Sequence, residues 1–596
     1  MKMKLNEQQQ KAVAQIDGAS LIISGAGTGK STLLAAKVDA IQQHYGNEVP
    51  GILALSFTKR STADLAARIV NTRGVSVMNI TQFFYRVLRA NGYGAFKVLT
   101  DEYARQALVS LSIAATEMNK KVADADVLDA LEKSCQTDDT AVKKVIAQYF
   151  NFMKQKRCMD FAAIPVFTVE LLRAVPAVAK KIRRQYPYVL IDEFQDVDPN
   201  QWAAIRLIWP KGSNITAIGD YRQSIYGFRG SQRGVLDEFK IFYGSTVYEM
   251  NLCYRCPPEI LNVANTIHTQ YSPLVPAKAA TDNKPVFTAA MNPEDEAATV
   301  VNQIKDVLNN GTRLSDIVIL YRSLPAIPSV IEALLKARLP FVKIGADPNR
   351  WNHYPYKQYL ELLNFVADSD IADWKKCCKY LDIDFEMLQQ ALAMVKEEEG
   401  LRISDVLMSL PMLSADAKAK LAFITELAAM KNIKATPLRD LIICLWDGIA
   451  RGYFDAENET ILADVLAATE QYQTLAELQE DIAGMRKQYA AMAKLIKSKT
   501  TEYIKVMSIH SAKGLEFNTV FLVGAGEGIL PDLSHDNTDL DEEANLSYVA
   551  ATRSKENLYV SYARHNSKCK DEIQPSRYFA RFFHKKWGCN RMKFSR

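Results

Sequence analysis

Ser24-Gly25-Ala26-Gly27-Thr28-Gly29-Lys30-Ser31 is the stretch on which the fold turns. The apolar run Leu21-Ile22-Ile23 precedes it and reads as a short buried strand, while Leu34, Val38 and Ile41 follow at helical spacing. A glycine-rich turn between a buried strand and a helix is the setting a phosphate-binding loop requires. Glycines let the backbone curl so that its N–H groups face phosphate oxygens, and the helix N-terminus adds partial positive charge. In such a loop Lys30 reaches the β- and γ-phosphates and Ser31 ligates Mg²⁺. Ser24 stands where the literal pattern has glycine.

A second site lies further along. Asp192 and Glu193 close the buried run Val189-Leu190-Ile191, at a sheet's carboxyl edge, where ligands of α/β proteins bind. Asp192 suits a Mg²⁺ shell and Glu193 a general base that polarises an attacking water. Ile215 to Ile218 and Val520 to Val523 read as further buried strands of a parallel sheet. This alternation predicts an α/β fold with two cores, each carrying a helical insertion. The expected organisation is a first core over 1–90 and 186–252 with an insertion over 91–185. A second core follows over 253–365 and 499–583, with an insertion over 366–498, and 584–596 is left as a basic tail.

A chain of 596 residues is too long for one core, and 48% hydrophobic with 24% charged residues excludes disordered and fibrous classes. The net charge of +5 makes no case for a polyanionic partner by itself, so a local basic groove would have to do the binding. The polar start Met1 to Gln10 has no signal-peptide core, and no stretch reaches membrane-spanning length, so no membrane association is expected. Nine dispersed cysteines suit a reducing cytoplasm. Cys253-Tyr254-Arg255-Cys256 has CxxC spacing, but no second pair completes a zinc site. Thr436-Pro437 reads as an N-cap with proline at the first helical position. The stripe Leu438, Leu441, Ile442, Leu445, Trp446 and Ile449 behind it reads as core packing. Asp532 to Glu543 is expected to be a solvated acidic loop.

Further segments carry a family likeness. Asp192-Glu193-Phe194-Gln195-Asp196 is similar to the DEFQD signature of the UvrD/Rep-like superfamily 1 helicases. Gly219 to Gly230 resembles their third motif, Ile509 to Phe517 their fifth and Tyr548 to Arg553 their sixth. Leu5 to Gln9 resembles their adenine-reading glutamine motif, Phe57-Thr58-Lys59-Arg60 their first DNA-contacting motif, and Tyr254-Arg255 their fourth. The motifs stand in family order across nearly the whole chain.

The resemblance implies two RecA-like cores with ATP between them and single-stranded DNA across their tops. It implies ATP and Mg²⁺ as cofactors, and 3′-to-5′ DNA helicase or translocase activity on single strands and tailed duplexes, in repair, recombination or replication. By position, the nucleotide contacts would be Gln9, the loop Ser24 to Ser31, Thr32, Arg68, Tyr254 stacking on adenine and Glu516 at the ribose. Gln223 would sense the γ-phosphate, and Arg255 and Arg553 would be arginine fingers from the second core. DNA contacts would be Phe57, Thr58, Tyr226, Phe228, Arg229 and His510, with Thr58 and His510 at phosphates and aromatic faces under the bases.

Departures from the family pattern are specific. Thr32 replaces the family's adenine-sandwiching Arg, and Phe228 replaces a Trp. Asn79-Ile80-Thr81-Gln82 stands in place of Thr-Phe-His-Ser, and Tyr380 to Asp384 in place of a duplex-touching Gly-Ile-Gly turn. Two other readings fit the resemblance. One is a motor subunit serving a separate nuclease in a repair or defence assembly. The other is an ATP-gated DNA-binding scaffold, against which Lys30, Glu193, Arg255 and Arg553 argue together, because a binder needs neither base nor fingers.

Overall fold

The computed structural model describes residues 5–118, 121–227, 230, 234–344, 351, 356–368, 371–397, 402–429, 433, 436–451, 459–497, 502–534, 538–565 and 572–583. The chain forms two compact units. The first comprises Met1–Val286, Ala512–Val520 and Leu530–Tyr559, and the second Phe287–Ser511, Phe521–Ile529 and Val560–Arg596.

In the first unit, β1 (Ala19–Ser24), β2 (Ile52–Ser56) and β3 (Val75–Asn79) precede a two-stranded pair, β4 (Lys97–Val98) with β5 (Cys158–Met159). Then come β6 (Tyr188–Ile191), β7 (Asn214–Gly219), β8 (Thr246–Met250) and a second short pair, β9 (Leu252–Cys253) with β10 (Val275–Pro276). The main sheet has the order β3-β2-β6-β7-β1-β8, with every pairing parallel. Its central strands are buried almost throughout, as a sheet covered on both faces demands. Alternate residues serve two cores: Leu53, Leu55, Val189, Ile191, Ile215 and Ala217 pack on one face, and Ile52, Ala54, Leu190 and Ile218 on the other.

The helix Lys30–Tyr45 lies on the second of these faces through Leu34, Val38 and Ile41, the residues whose spacing announced it. The helices Thr140–Gln155 and Ala163–Ala174 join the first face through Val145, Tyr149, Phe150 and Phe167. All six parallel strands end at one edge. Ser24, Ser56, Ile191, Gly219 and Met250 therefore each hand the chain to a loop on the same side of the unit.

The second six-stranded sheet is built from β11 (Val286–Ala290), β12 (Ile317–Tyr321), β13 (Phe341–Ile344), β14 (Ile504–Ser508), β15 (Phe517–Leu522) and β16 (Ser554–Ala563). Its order is β11-β16-β15-β12-β14-β13. Within the second unit, β14 pairs in parallel with both β12 and β13. A helical region with its own core runs from Tyr356–Asp368 to Leu475–Lys497. Tyr359, Leu362, Leu363 and Phe365 belong to that core.

Two local expectations are corrected. Pro437 is the N-cap and not the first helical residue, because it bridges Thr474 while Leu438 N–H donates to Gln473 O at 2.8 Å. The pairing holds Pro437 extended, and the helix Leu438–Leu445 starts one residue later. The acidic stretch does not stay a loop to its end. Asp539 accepts from the N–H groups of Asp541 and Glu542, and the helix Leu540–Thr552 opens with three acids in its first turn. Carboxylates there favour helix over solvated loop because they complement its positive end. Among them Glu543 is buried and accepts from Asp532 N–H at 3.1 Å. The basic tail 584–596 lies outside the described residues.

The expected stripe of Leu438, Leu441, Ile442, Leu445, Trp446 and Ile449 is buried in full. Tyr359 stacks on Trp446 and donates to Ile442 O at 2.9 Å. Leu445→Ala should therefore weaken this helical region by about 2–5 kcal/mol. Hydrogen exchange in urea should show the loss in the helix Leu438–Leu445 and leave the first unit's protection unchanged.

Candidate active site

The loop after β1 is enclosed by side chains and bare inside. Gly27 and Gly29 adopt φ of 71° and 88°, a left-handed conformation that side chains disfavour. A Cβ on Gly27 would lie 2.6 Å from Arg255 Cβ and 2.9 Å from Cys253 Sγ, and one on Gly25 would lie 2.3 Å from Leu274 Cδ2. Ser24, the departure from glycine, ties the loop internally. It hydrogen-bonds Thr28 Oγ1 at 2.6 Å, and Thr28 Oγ1 donates to Gly25 O at 2.9 Å. Ala26 N–H donates to the Tyr548 hydroxyl at 3.3 Å.

Lys30 opens the helix after the loop, and its buried ammonium pairs with Glu193 Oε1 at 2.8 Å, off the hydrogen-bonding direction. Burial pulls the ammonium's pKa down, but Glu193, Asp192 and Asp220 outweigh that and raise it. Glu193 has φ of 53° and also accepts from Gln195 Nε2 at 2.6 Å. Burial pushes Glu193 up, yet Lys30 and Lys513 outweigh it and hold the carboxyl at about 2. Asp192 is pushed up to about 7 by burial and by Glu193 beside it. The acid pair is therefore divided: one member is held ionised by cations, while the other resists ionisation.

Other residues expected at the nucleotide lie around the same loop. Gln9 is buried, donates to Thr28 O at 3.1 Å and closes a capping box with Asn6. Tyr254 N–H donates to Gly27 O at 2.9 Å, and the Tyr254 hydroxyl accepts from Asn6 Nδ2 at 2.8 Å. Arg255 donates through Nε to Glu516 Oε2 at 2.9 Å and through Nη1 to Thr552 O at 3.1 Å. Arg553 is 1% exposed and donates to Val549 O, Leu515 O and, at 3.4 Å, Gln223 Oε1. Gln223 Nε2 donates to Asp220 Oδ2 at 2.8 Å. Arg68 reaches Thr32 Oγ1 at 3.4 Å.

Of the expected strand contacts, Phe57 stacks on Tyr226 with centroids 5.6 Å apart. The Thr58 hydroxyl accepts from Ser61 N–H as the N-cap of the helix Lys59–Arg68. Asn79 similarly caps the helix Ile80–Ala90. His510 follows β14 in the second unit. Phe228 and Arg229 lie outside the described residues.

Several participants escaped the sequence reading. Lys513 Nζ holds both oxygens of Asp196, at 2.7 and 2.6 Å, donates to Gln223 O at 2.6 Å and sits 4.8 Å from the centre of the Tyr226 ring. Asp220 takes Arg222 Nε at 2.9 Å, and the Arg222 guanidinium lies over the Tyr548 ring. Asp220 follows buried β7 as Asp192 follows buried β6, so the same signal marks it. Lys513 stands inside the quoted fifth motif, between His510 and Glu516.

A bare phosphate loop, a buried lysine, a divided acid pair and two guanidiniums at the carboxyl edge of a parallel sheet define a P-loop ATPase. The pattern of the UvrD/REP helicase N-terminal domain matches residues 5–243, and that of the UvrD-like helicase C-terminal domain matches 248–432 and 456–565. The chain belongs to the UvrD/Rep family of superfamily 1 DNA helicases. Among its relatives, the Bacillus subtilis protein YjcD, which carries the name of an ATP-dependent DNA helicase, is 26% identical, with 94% of this chain and 78% of the relative covered. The ATP-dependent DNA helicase PcrA of Staphylococcus epidermidis is 24% identical, over 94% of this chain and 83% of its own. A DNA helicase II homologue of Mycoplasma capricolum is 23% identical, over 96% and 86%. The chain is thus an ATP-hydrolysing enzyme of the helicase and translocase class that acts on DNA. Among the described residues no helix is long and apolar enough to cross a membrane.

Gly27→Ala should force Arg255 or Cys253 away and strain a left-handed residue by about 1–2 kcal/mol. Titration with a fluorescent ATP analogue should show a roughly tenfold loss of affinity with little change in melting temperature.

Proposed function

We propose that the chain is a motor that translocates 3′ to 5′ on single-stranded DNA. The observation that carries this reading is the convergence of Lys30, Glu193, Gln223, Arg255 and Arg553 around one bare loop. In this reading Lys30 and the loop N–H groups hold the β- and γ-phosphates. Glu193, kept ionised by its cations, accepts the proton of the attacking water. Arg255 and Arg553 stabilise charge on the transferring phosphoryl group, and Gln223, hydrogen-bonded to both Asp220 and Arg553, reports its presence.

Ser31 and Asp192 are the residues fit to hold Mg²⁺. The Ser31 hydroxyl has no hydrogen bond among the described residues, and Asp192 spends Oδ1 on Glu193 N–H at 3.0 Å, leaving its second oxygen. No cluster of three or more His, Cys, Asp or Glu side chains among the described residues forms a metal cage. None is needed where phosphates and one or two side chains share the ion. Bound there, Mg²⁺ would neutralise developing charge on the phosphate oxygens. The direction of travel and a role in DNA repair, recombination or replication rest on likeness to the family.

Three mutants test the chemistry. Lys30→Ala should abolish strand-stimulated hydrolysis, and Glu193→Gln should bind ATP without turnover. Arg255→Ala should lower turnover by about 10³-fold or more without weakening nucleotide-free DNA binding. A Glu193→Gln enzyme within a few-fold of wild type would remove the base from this scheme.

The strand is gripped by aromatic faces in this reading, with Phe57 and Tyr226 already stacked. Tyr226→Ala should weaken single-strand affinity by about 1–3 kcal/mol, measured by fluorescence anisotropy, and Phe228→Ala should do the same.

Unwinding is a separate demand. The segment that replaces the family's Gly-Ile-Gly turn buries Tyr380, Leu381 and Ile383, and its Asp382 pairs with Lys420. It offers packed side chains in place of bare glycine backbone. Each base-pair step opened costs about 1.4 kcal/mol of stacking, so a motor with a poor duplex grip slips back. The isolated protein should translocate well on single strands yet unwind long 3′-tailed duplexes poorly. Stopped-flow translocation beside single-turnover unwinding checks this, and efficient long-duplex unwinding by a proven monomer would refute it.

A further inference from the structure

Cys253 and Cys256 flank the two residues that reach the nucleotide from the fourth motif, and no step of hydrolysis uses either thiol. Cys253 ends β9, and Cys256 stands just before the helix Pro258–Ala264. Both are fully buried. Cys256 N–H donates to Cys253 Sγ at 3.5 Å, which folds the tetrapeptide back so that its ends meet. Cys253 Sγ lies against the phosphate loop, 2.9 Å from where a Cβ on Gly27 would sit. Cys256 Sγ donates to Ser554 O at 3.1 Å and approaches Thr552 O at 3.7 Å. Thr552 O also accepts from Arg255 Nη1 at 3.1 Å. The pair therefore touches the phosphate loop, Arg255 and the backbone on either side of Arg553.

We propose that Cys253 and Cys256 form a redox-active dithiol, and that a peroxide converts it to a disulfide that switches off ATP hydrolysis. Cys253 is the attacking thiol. The adjoining Cys256 side chain outweighs burial, and the N–H groups of Cys256 and Arg255 add to this, holding Cys253 at about 6. Cys256 is raised by Cys253 and by burial, so it stays protonated as the resolving partner. Burial pushes Cys135 up to about 12 and raises Cys158 and Cys444, which leaves Cys253 the favoured nucleophile of this group.

The chemistry closes on itself. The Cys253 thiolate attacks one peroxide oxygen; an S–O bond forms, the O–O bond breaks, and hydroxide leaves. Cys256 Sγ then attacks the Cys253 sulfur; the S–S bond forms, the S–O bond breaks, and the oxygen departs as water with the Cys256 proton. The two sulfurs lose two electrons in all, the hydroxide takes a proton from solvent, and the peroxide becomes two waters. A dithiol reductant reverses the change. Drawing Cys256 Sγ to Cys253 takes it from Ser554 O and Thr552 O, the carbonyls that flank Arg553 and hold Arg255. Both guanidiniums lose their setting, and turnover falls. Since Cys253 borders Gly27, bound nucleotide shields it from oxidant.

The consequence for turnover rests on the role given above to Arg255, whereas disulfide formation does not. The full chain is treated with hydrogen peroxide, with and without MgADP, then alkylated, digested and analysed by mass spectrometry. The expected result is a linked Cys253–Cys256 peptide lighter by two hydrogens and slowed by MgADP. Strand-stimulated ATPase should fall roughly tenfold or more and return with dithiothreitol. Cys256→Ser should keep its activity under peroxide. Alkylation of both cysteines after peroxide exposure overturns the proposal, as does equal loss of activity in wild type and Cys256→Ser. A disulfide that leaves ATPase untouched overturns the switch, and an Arg255→Ala enzyme of normal turnover would then assign the failure to the arginine.

Discussion

The first unit is organised around a stretch of backbone that has to stay bare. A loop presents N–H groups to phosphate only where no side chain stands in front of them. Around Gly25 and Gly27 the clearance has been reduced to nothing: Leu274, Arg222, Arg255 and Cys253 fill the space a single methyl would need. The walls come from distant parts of the chain, yet they arrive together because parallel strands end on one side. Topology thus does the gathering, and glycine keeps the gathered place open.

The second constraint is charge. Asp192, Asp196 and Asp220 are buried beside Lys30, Lys513, Arg222 and Arg553. Desolvating such groups costs more than most pairs return, so an arrangement of this kind is a weak source of stability. Burial shows in the acids that resist ionisation, Asp192 near 7 and Asp196 near 6, while Glu193 is drawn the other way. The same low dielectric that makes the cluster costly strengthens its grip on a polyphosphate. Lys513 links its parts, since one ammonium serves Asp196, the Gln223 carbonyl and the Tyr226 ring. A change at the nucleotide and a change at the aromatic pair Phe57–Tyr226 therefore share a residue.

The parts legible in the sequence are those where physics leaves few alternatives. Glycines at left-handed positions, acids after buried strands and the alternation of strand and helix were all readable, and with them the α/β class. Lys513 with Asp196, Arg222 with Asp220, and Tyr548 under the loop were not, because the partners lie far apart in the chain and only folding introduces them. Pro437 was misplaced by one residue for the same reason, since Thr474 claims it from another segment. The acidic stretch was read from its charge alone, whereas Asp539 followed by acids is also a helix start.

The glutamine at the edge of the loop has one more consequence. Gln9 already has partners on both ends of its amide: Asn6 N–H donates to Oε1 at 3.0 Å, and Nε2 donates to Thr28 O. Asn6 in turn holds the Tyr254 hydroxyl. A nucleobase that uses this amide competes with an internal ligand and does not enter an empty socket. Recognition is then an exchange reaction, in which the edge of the base substitutes for helix cap and loop carbonyl. Its free energy is the small difference between two good sets of hydrogen bonds, so discrimination comes from the mismatch of a wrong base more than from the strength of a right one.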